Sequence, residues 1–166
     1  MKTIVIFLVF PIFLLICLQN SITFTEPTKP TQLSLPIQME IIKALESSGN
    51  PNAYNRGSHA TGLYQITPIC LDDFNQFGSI NVFYDLEDMY DPKKNKQVAT
   101  WYMNQRIPQL LNYYGYDDTV QNRLVSFNCG VGCIGRESLP LETTNYVKRY
   151  TERYNNANHR RETTSQ

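Results

Sequence analysis

A mainly α single domain with little or no β-sheet is expected from this chain, on three observations. Apolar residues recur at helical spacing in several separate stretches, a helix-start signal such as Asp91-Pro92 precedes one of the longest, and no convincing strand alternation occurs anywhere. The 166 residues, less an N-terminal segment of about 20, make one domain with enough chain for a real core.

The elements follow in order. Lys2 precedes an apolar run from Ile4 to Leu18, interrupted only by Pro11 and followed by Gln19-Asn20-Ser21. Such a run is short for a membrane span of about 20 residues and fits a secretory h-region of about 7–15. Residues 1–20 are therefore expected to be a signal peptide or, because no clean small-x-small cleavage site follows, an N-terminal membrane anchor through residues 4–18. Cys17 follows Leu14-Leu15-Ile16, which is a poor lipoprotein box. Residues 21–35 are rich in Thr, Pro and Ser and read as a linker.

Residues 36–154 form the expected domain. Between Pro36 and Ser48, Ile37, Met39, Ile41, Ile42, Ala44 and Leu45 cover an arc of roughly 220° at about 100° per residue, leaving Glu40, Lys43 and Ser47 on a narrow polar face. Glu46 falls at the edge of the apolar arc, and Gly49-Asn50-Pro51 then breaks the helix. Burial there and the negative end of a helix dipole both favour the protonated carboxyl, which is what a general acid needs near neutral pH. Further along, Asp91-Pro92 has the form of an N-cap with proline at the first helical position. Val98, Trp101, Tyr102 and Ile107 follow, Pro108 kinks that helix or starts another, and Gly115 stops it. Asp118 and Gln121 have capping-box spacing ahead of Val120, Leu124 and Phe127. A last helix begins near Pro140 and carries Tyr146, Val147, Tyr150 and Tyr154, and residues 155–166 read as a frayed polar tail.

Composition excludes some classes. Positive and negative side chains balance at 15 each, so there is no nucleic-acid footprint. Eleven Tyr and eight Phe against one Trp suit a saccharide groove and a core alike. Beyond the leader, Cys70, Cys129 and Cys133 remain, an odd number. A disulfide is allowed outside the cytoplasm, between Cys129 and Cys133 or between Cys70 and either. The isolated His59 and His159 make no metal site, and no nucleophile signature supports a Cys-His hydrolase built on Cys129 or Cys133 with His59. No metal and no cofactor are expected.

Five short segments stand in a telling order: Glu46-Ser47-Ser48-Gly49-Asn50-Pro51-Asn52-Ala53, Gly62-Leu63-Tyr64-Gln65-Ile66, Asp91-Pro92-Lys93-Lys94-Asn95, Ser126-Phe127-Asn128-Cys129-Gly130, and Glu142-Thr143-Thr144-Asn145-Tyr146-Val147. The chain from Pro36 to Tyr154 thereby resembles the SLT-type lytic transglycosylases, whose pattern runs E-S-x-x-N-P-x-A, G-L-M-Q-I, D-P-x-x-N, A-Y-N-A-G, E-T-x-x-Y-V. Each match alone is weak, and their shared order is what makes the resemblance specific.

The resemblance implies a lysozyme-like domain with helices around a saccharide cleft, acting as a monomer on peptidoglycan glycan strands. It implies cleavage of the MurNAc-β-1,4-GlcNAc bond without water, leaving 1,6-anhydro-MurNAc ends. Glu46 matches the catalytic glutamate, acting as general acid and then base, so the two-carboxylate rule of glycosidases need not apply. Tyr64, in the place of a methionine, would offer the sugar an apolar face, and Gln65 would hydrogen-bond substrate. Phe127 replaces a tyrosine and lacks its hydroxyl, Asn128 keeps the amide, and Cys129 replaces a small alanine. Glu142 would line the groove and Tyr146 would contact the sugar near Glu46. Asp72, Asp73, Asp85, Glu87 and Asp88 read as caps or solvated charges. The protein would then be exported, to the periplasm or the cell exterior, with N-terminal membrane association if the leader is kept. A hydrolytic muramidase on the same fold and a catalytically weak cell-wall-binding module, suggested by Phe127, are the alternatives.

Overall fold

The computed structural model describes residues 37–78 and 81–164, which lie in one compact unit, Gln32–Gln166. The expected leader, possible anchor and linker, residues 1–35, lie outside the described residues. No described helix is long and apolar enough to cross a membrane.

The architecture is the mainly α one expected. Its helices are α1 (Met39–Glu46), α2 (Pro68–Phe77), α3 (Pro92–Trp101), α4 (Ile107–Tyr113), α5 (Val120–Cys129) and α6 (Leu141–Thr164). Short 3₁₀ turns at Glu87–Tyr90 and Val131–Cys133 precede α3 and follow α5. Among the described residues, β structure is confined to the isolated bridges Tyr54–Thr61 and Thr61–Ile66.

Capping residues explain most of the starts. Asp91 accepts from the backbone N–H of Lys93 (2.7 Å) and Lys94 (3.0 Å), with Pro92 inside the first turn, as read from the sequence. Thr67-Pro68 repeats this device at α2, where Thr67 accepts from the Cys70 N–H. That helix was not anticipated. The Asp118–Gln121 box does not form. Thr119 is the cap, accepting from the Asn122 N–H at 3.0 Å, while Asp118 turns outward to pair with Arg123.

Pro108 lacks the N–H that an α-helix would use at its position. The chain answers with a π-helical stretch, Tyr102–Arg106, in which the Ile107 N–H reaches back to the Tyr102 carbonyl, so α3 and α4 are joined without a break. This stretch carries Arg106, whose guanidinium makes two 3.0 Å hydrogen bonds to Asp73 of α2 and lies 4.4 Å from the Phe77 ring centre. The tail is also ordered differently from the expectation: Asn155 to Thr164 continue α6.

The core is apolar and continuous. Ile42, Tyr64, Ile66, Met89, Val98, Met103, Ile107 and Leu111 are fully or almost fully buried, and Trp101 meets Phe74 edge-on. Polar Asn95 is fully buried within it. Asn95 of α3 accepts from the Tyr64 N–H (2.9 Å) and donates to the carbonyls of Thr61 and Met89 (both 2.8 Å). It thereby ties the Gly62–Ile66 loop to α3. Gly62, at φ +78°, has no room for a Cβ, which would collide with Met89 O and Asn95 Nδ2.

Two substitutions test this reading. Asn95→Ala leaves buried backbone groups unpaired and is expected to lower stability by about 3 kcal/mol, at an estimated 1–3 kcal/mol per orphaned group. Tyr64→Phe removes a buried hydroxyl that has no hydrogen-bond partner, so it should leave stability unchanged or raise it by up to about 1 kcal/mol. Urea denaturation midpoints at constant slope measure both.

Candidate active site

Glu46 is the last residue of α1, and its position follows from how the chain leaves that helix. Ser48 (φ 54°) and Gly49 (φ 83°) take left-handed backbone and turn the chain away at once. The Ser47 hydroxyl, expected on a polar face, instead donates to the Leu63 carbonyl at 2.8 Å. That bond sets the end of α1 against the Gly62–Ile66 loop. Across from it, the Gln38 backbone N–H donates to the Tyr150 hydroxyl (2.8 Å), docking the start of α1 on α6.

The half-buried Glu46 faces a cleft of about 420 Å³. Gln65, Phe127, Asn128, Glu142 and Tyr146 line the same cleft, so five of the six other residues singled out from the sequence gather around Glu46. Tyr64 does not join them. Its side chain is 0% exposed in the core, because alternate residues of this tight loop point to opposite sides and Gln65 takes the cleft side. In this structure Tyr64 offers no surface to a sugar.

Each lining group has a defined partner. Gln65, itself left-handed at φ 49°, donates its amide N–H₂ to the carbonyls of Ala53 (3.2 Å) and Gly62 (3.0 Å), which leaves its amide oxygen for a ligand. Asn128 accepts from the buried Thr143 hydroxyl of α6 at 2.8 Å, which leaves its N–H₂ group available. Phe127 packs edge-on to Tyr102 of the π-helical stretch, at 6.3 Å between ring centres. Glu142, Tyr146 and Arg149 recur at i, i+4 and i+7 on one face of α6. Arg149 was missed from sequence, although its helical register with Tyr146 could have marked it. Asn55, Ser58, Ala60 and Thr67, also in the cleft wall, carry no comparable signal.

The electrostatics single out Glu46. Burial raises its pKa to about 7, opposed by the nearby Tyr146 hydroxyl and Arg149 and reinforced by the negative charge of Glu142. The Tyr146 hydroxyl is buried and completes no hydrogen bond with any protein group, so it acts on the carboxyl as a close dipole. Burial, with Glu46 beside it, holds the Tyr146 phenol well above its ordinary range, so it stays protonated. A carboxyl at about 7 is shared between acid and base forms near neutral pH. Among the described residues no group of His, Cys, Asp and Glu could hold a metal ion.

The sign of the pH effect on stability follows. With the folded pKa near 7 and the ordinary value at 4.5, ionising Glu46 favours the unfolded chain, and stability falls as pH rises from 4.5 to 7. Glu46→Gln removes that penalty. The variant should match the wild type below pH 4.5 and exceed it above pH 7 by about 2 kcal/mol, a figure discounted for partial exposure from ~1.4 kcal/mol per unit. Urea melts across this range measure the difference.

Comparison with known proteins supplies the remaining context. No curated protein matches the chain. Among solved structures, the 70 kDa soluble lytic transglycosylase SLT70 of Escherichia coli superposes with a TM-score of 0.47 at 20% identity, over 70% of this chain and 17% of that one. The family model described as the transglycosylase SLT domain matches residues 24–139, more than half of the sequence. With that match, this chain belongs to the transglycosylase SLT domain family.

Proposed function

We propose that the protein is a peptidoglycan lytic transglycosylase, with Glu46 serving as acid and then base. The observation that carries this reading is the Glu46 carboxyl, poised between its two protonation states at about pH 7, at the wall of a cleft that also presents groups able to hold a saccharide. The Gln65 amide oxygen, the Asn128 N–H₂ group and the Phe127 ring offer an acceptor, a donor and an apolar face to a sugar.

The reaction balances on one proton. Protonated Glu46 donates to the glycosidic oxygen as the bond from that oxygen to C1 of the muramoyl sugar breaks. The substrate's N-acetyl group assists at C1. The Glu46 carboxylate then removes the proton from the C6 hydroxyl of the same sugar, and O6 bonds to C1 to close the 1,6-anhydro ring. Glu46 ends protonated, as it began, and no water is consumed. Tyr146, protonated and close to the carboxyl, steadies the ionised intermediate form.

A second reading has one observation in its favour. Glu142 lines the same cleft and acts electrostatically on Glu46, so a hydrolytic muramidase could use it to activate water. The family match ends at residue 139, before α6, and does not bear on Glu142 or Tyr146. Domain assignment follows the same proposal: residues 36–154 act, and the N-terminal 20 direct export to the compartment where peptidoglycan lies. A disulfide between Cys129 and Cys133 suits that oxidising side.

Mass spectrometry of fragments released from purified peptidoglycan tests the reading. Anhydro-muramoyl ends are expected. Reducing muramic ends would transfer the assignment to the muramidase, and binding without release would make the protein a cell-wall-binding module. Glu46→Gln should slow release by about 10³-fold while binding persists, the usual weight of a general acid. Phe127→Tyr restores a hydroxyl at the cleft wall and should raise kcat/KM about five-fold, the equivalent of about 1 kcal/mol for one hydrogen bond.

A further inference from the structure

The wall of the cleft formed by Phe127 and Asn128 ends in a covalent bond. Cys129, the next residue and the last of α5, is paired with Cys133 at the end of the following 3₁₀ turn, with their Cα atoms 6.1 Å apart. Gly130 between them stands at φ +87° and returns its N–H to the Ser126 carbonyl (2.9 Å), which lets the chain double back within so short a loop. Cys133 is 2% exposed, and Cys129 is half-buried.

What such a bridge supplies can be decided from its span. The cysteines are only four positions apart, and chain-entropy stabilisation by a crosslink grows with the loop it closes. A ring this small gains less of that stabilisation than a longer loop would. Its effect is local, and it falls on the last turn of a helix, where carbonyls lack intrahelical partners and fraying is easiest. That turn carries two cleft residues, each of which must keep its place: Asn128 with its oxygen on Thr143, Phe127 against Tyr102.

We propose that the Cys129–Cys133 disulfide is a positioning element for the reaction, holding the Phe127–Asn128 wall in register with Glu46, so that activity depends on redox state. This rests on the transglycosylase reading. Reduction by a dithiol transfers two electrons and two protons, giving thiols at Cys129 and Cys133 and leaving the reductant as its own cyclic disulfide. The last turn of α5 then loosens while the core, which the bridge does not span, stays folded. Cys70 is buried and free in the core, and burial pushes its thiol far up, so it takes no part.

The test compares the full chain oxidised, reduced with dithiothreitol, and reoxidised, beside the double variant Cys129→Ala/Cys133→Ala. Fragment release from peptidoglycan gives kcat and KM, alkylation and peptide mapping give the thiol state, and circular dichroism with thermal melting gives folding at the assay temperature. The expected result is a fall in kcat/KM of at least five-fold on reduction, with KM raised and helix content unchanged, restored by reoxidation. The double variant should sit at the reduced level and ignore dithiothreitol. Activity within two-fold of the oxidised protein after complete reduction would overturn the proposal. So would a loss that coincides with melting of the helices. If the oxidised protein releases nothing, the transglycosylase reading fails separately, and affinity for insoluble peptidoglycan becomes the readout. A five-fold weakening on reduction would then still support the bridge as a positioning element, and unchanged affinity would overturn it.

Discussion

Asn95 carries a constraint on which the rest of the site depends. A buried amide is costly unless its donors and acceptors are matched, and here three backbone groups from two separate segments match them. The matching only works with α3 at one distance from the Gly62–Ile66 loop, and Gly62 allows that approach because it lacks a side chain. Once the loop is held, Leu63 presents its carbonyl to Ser47 and Gln65 presents its side chain to the cleft. The end of α1, and Glu46 with it, is therefore placed from the core outward.

The opposite wall is built by a different logic. α6 receives the start of α1 through Tyr150 and the end of α5 through Thr143, so one long helix aligns both. Its register then brings Glu142, Tyr146 and Arg149 to the carboxyl as an acid, a neutral phenol and a cation. The protonation of Glu46 is the outcome of this contest, with burial the largest influence and the three neighbours correcting it in both directions.

Much of this was readable from residues in isolation, and the readable parts share a cause. Asp91-Pro92 and the apolar spacing of α1 are local signals, satisfied within a few residues of chain, and both appear as expected. Thr67-Pro68 carries the same local signal as Asp91-Pro92 and starts α2. The Asp118–Gln121 box does not form. Thr119 is one residue nearer the helix, and Asp118 gains more by pairing with Arg123 in solvent. The polar run after Asn155 has no apolar face to mark it, yet it continues a helix already nucleated by the buried tyrosines before it, where adding residues is cheap.

The sequence by itself determined the helical class, the break that follows Glu46, and the order of segments that gather at the cleft, because these depend on periodicity, capping and short-range backbone preference. Only the tertiary structure decided which side each residue of a tight loop faces. It buried Tyr64 and turned Gln65 to the cleft. It also chose Cys129–Cys133 over the pairings with Cys70, by leaving Cys70 in the core. Above all it set which charges act on the protonation of Glu46, since Glu142 and Arg149 come from parts of the chain about 100 residues away, and Coulomb fields depend on distance in space.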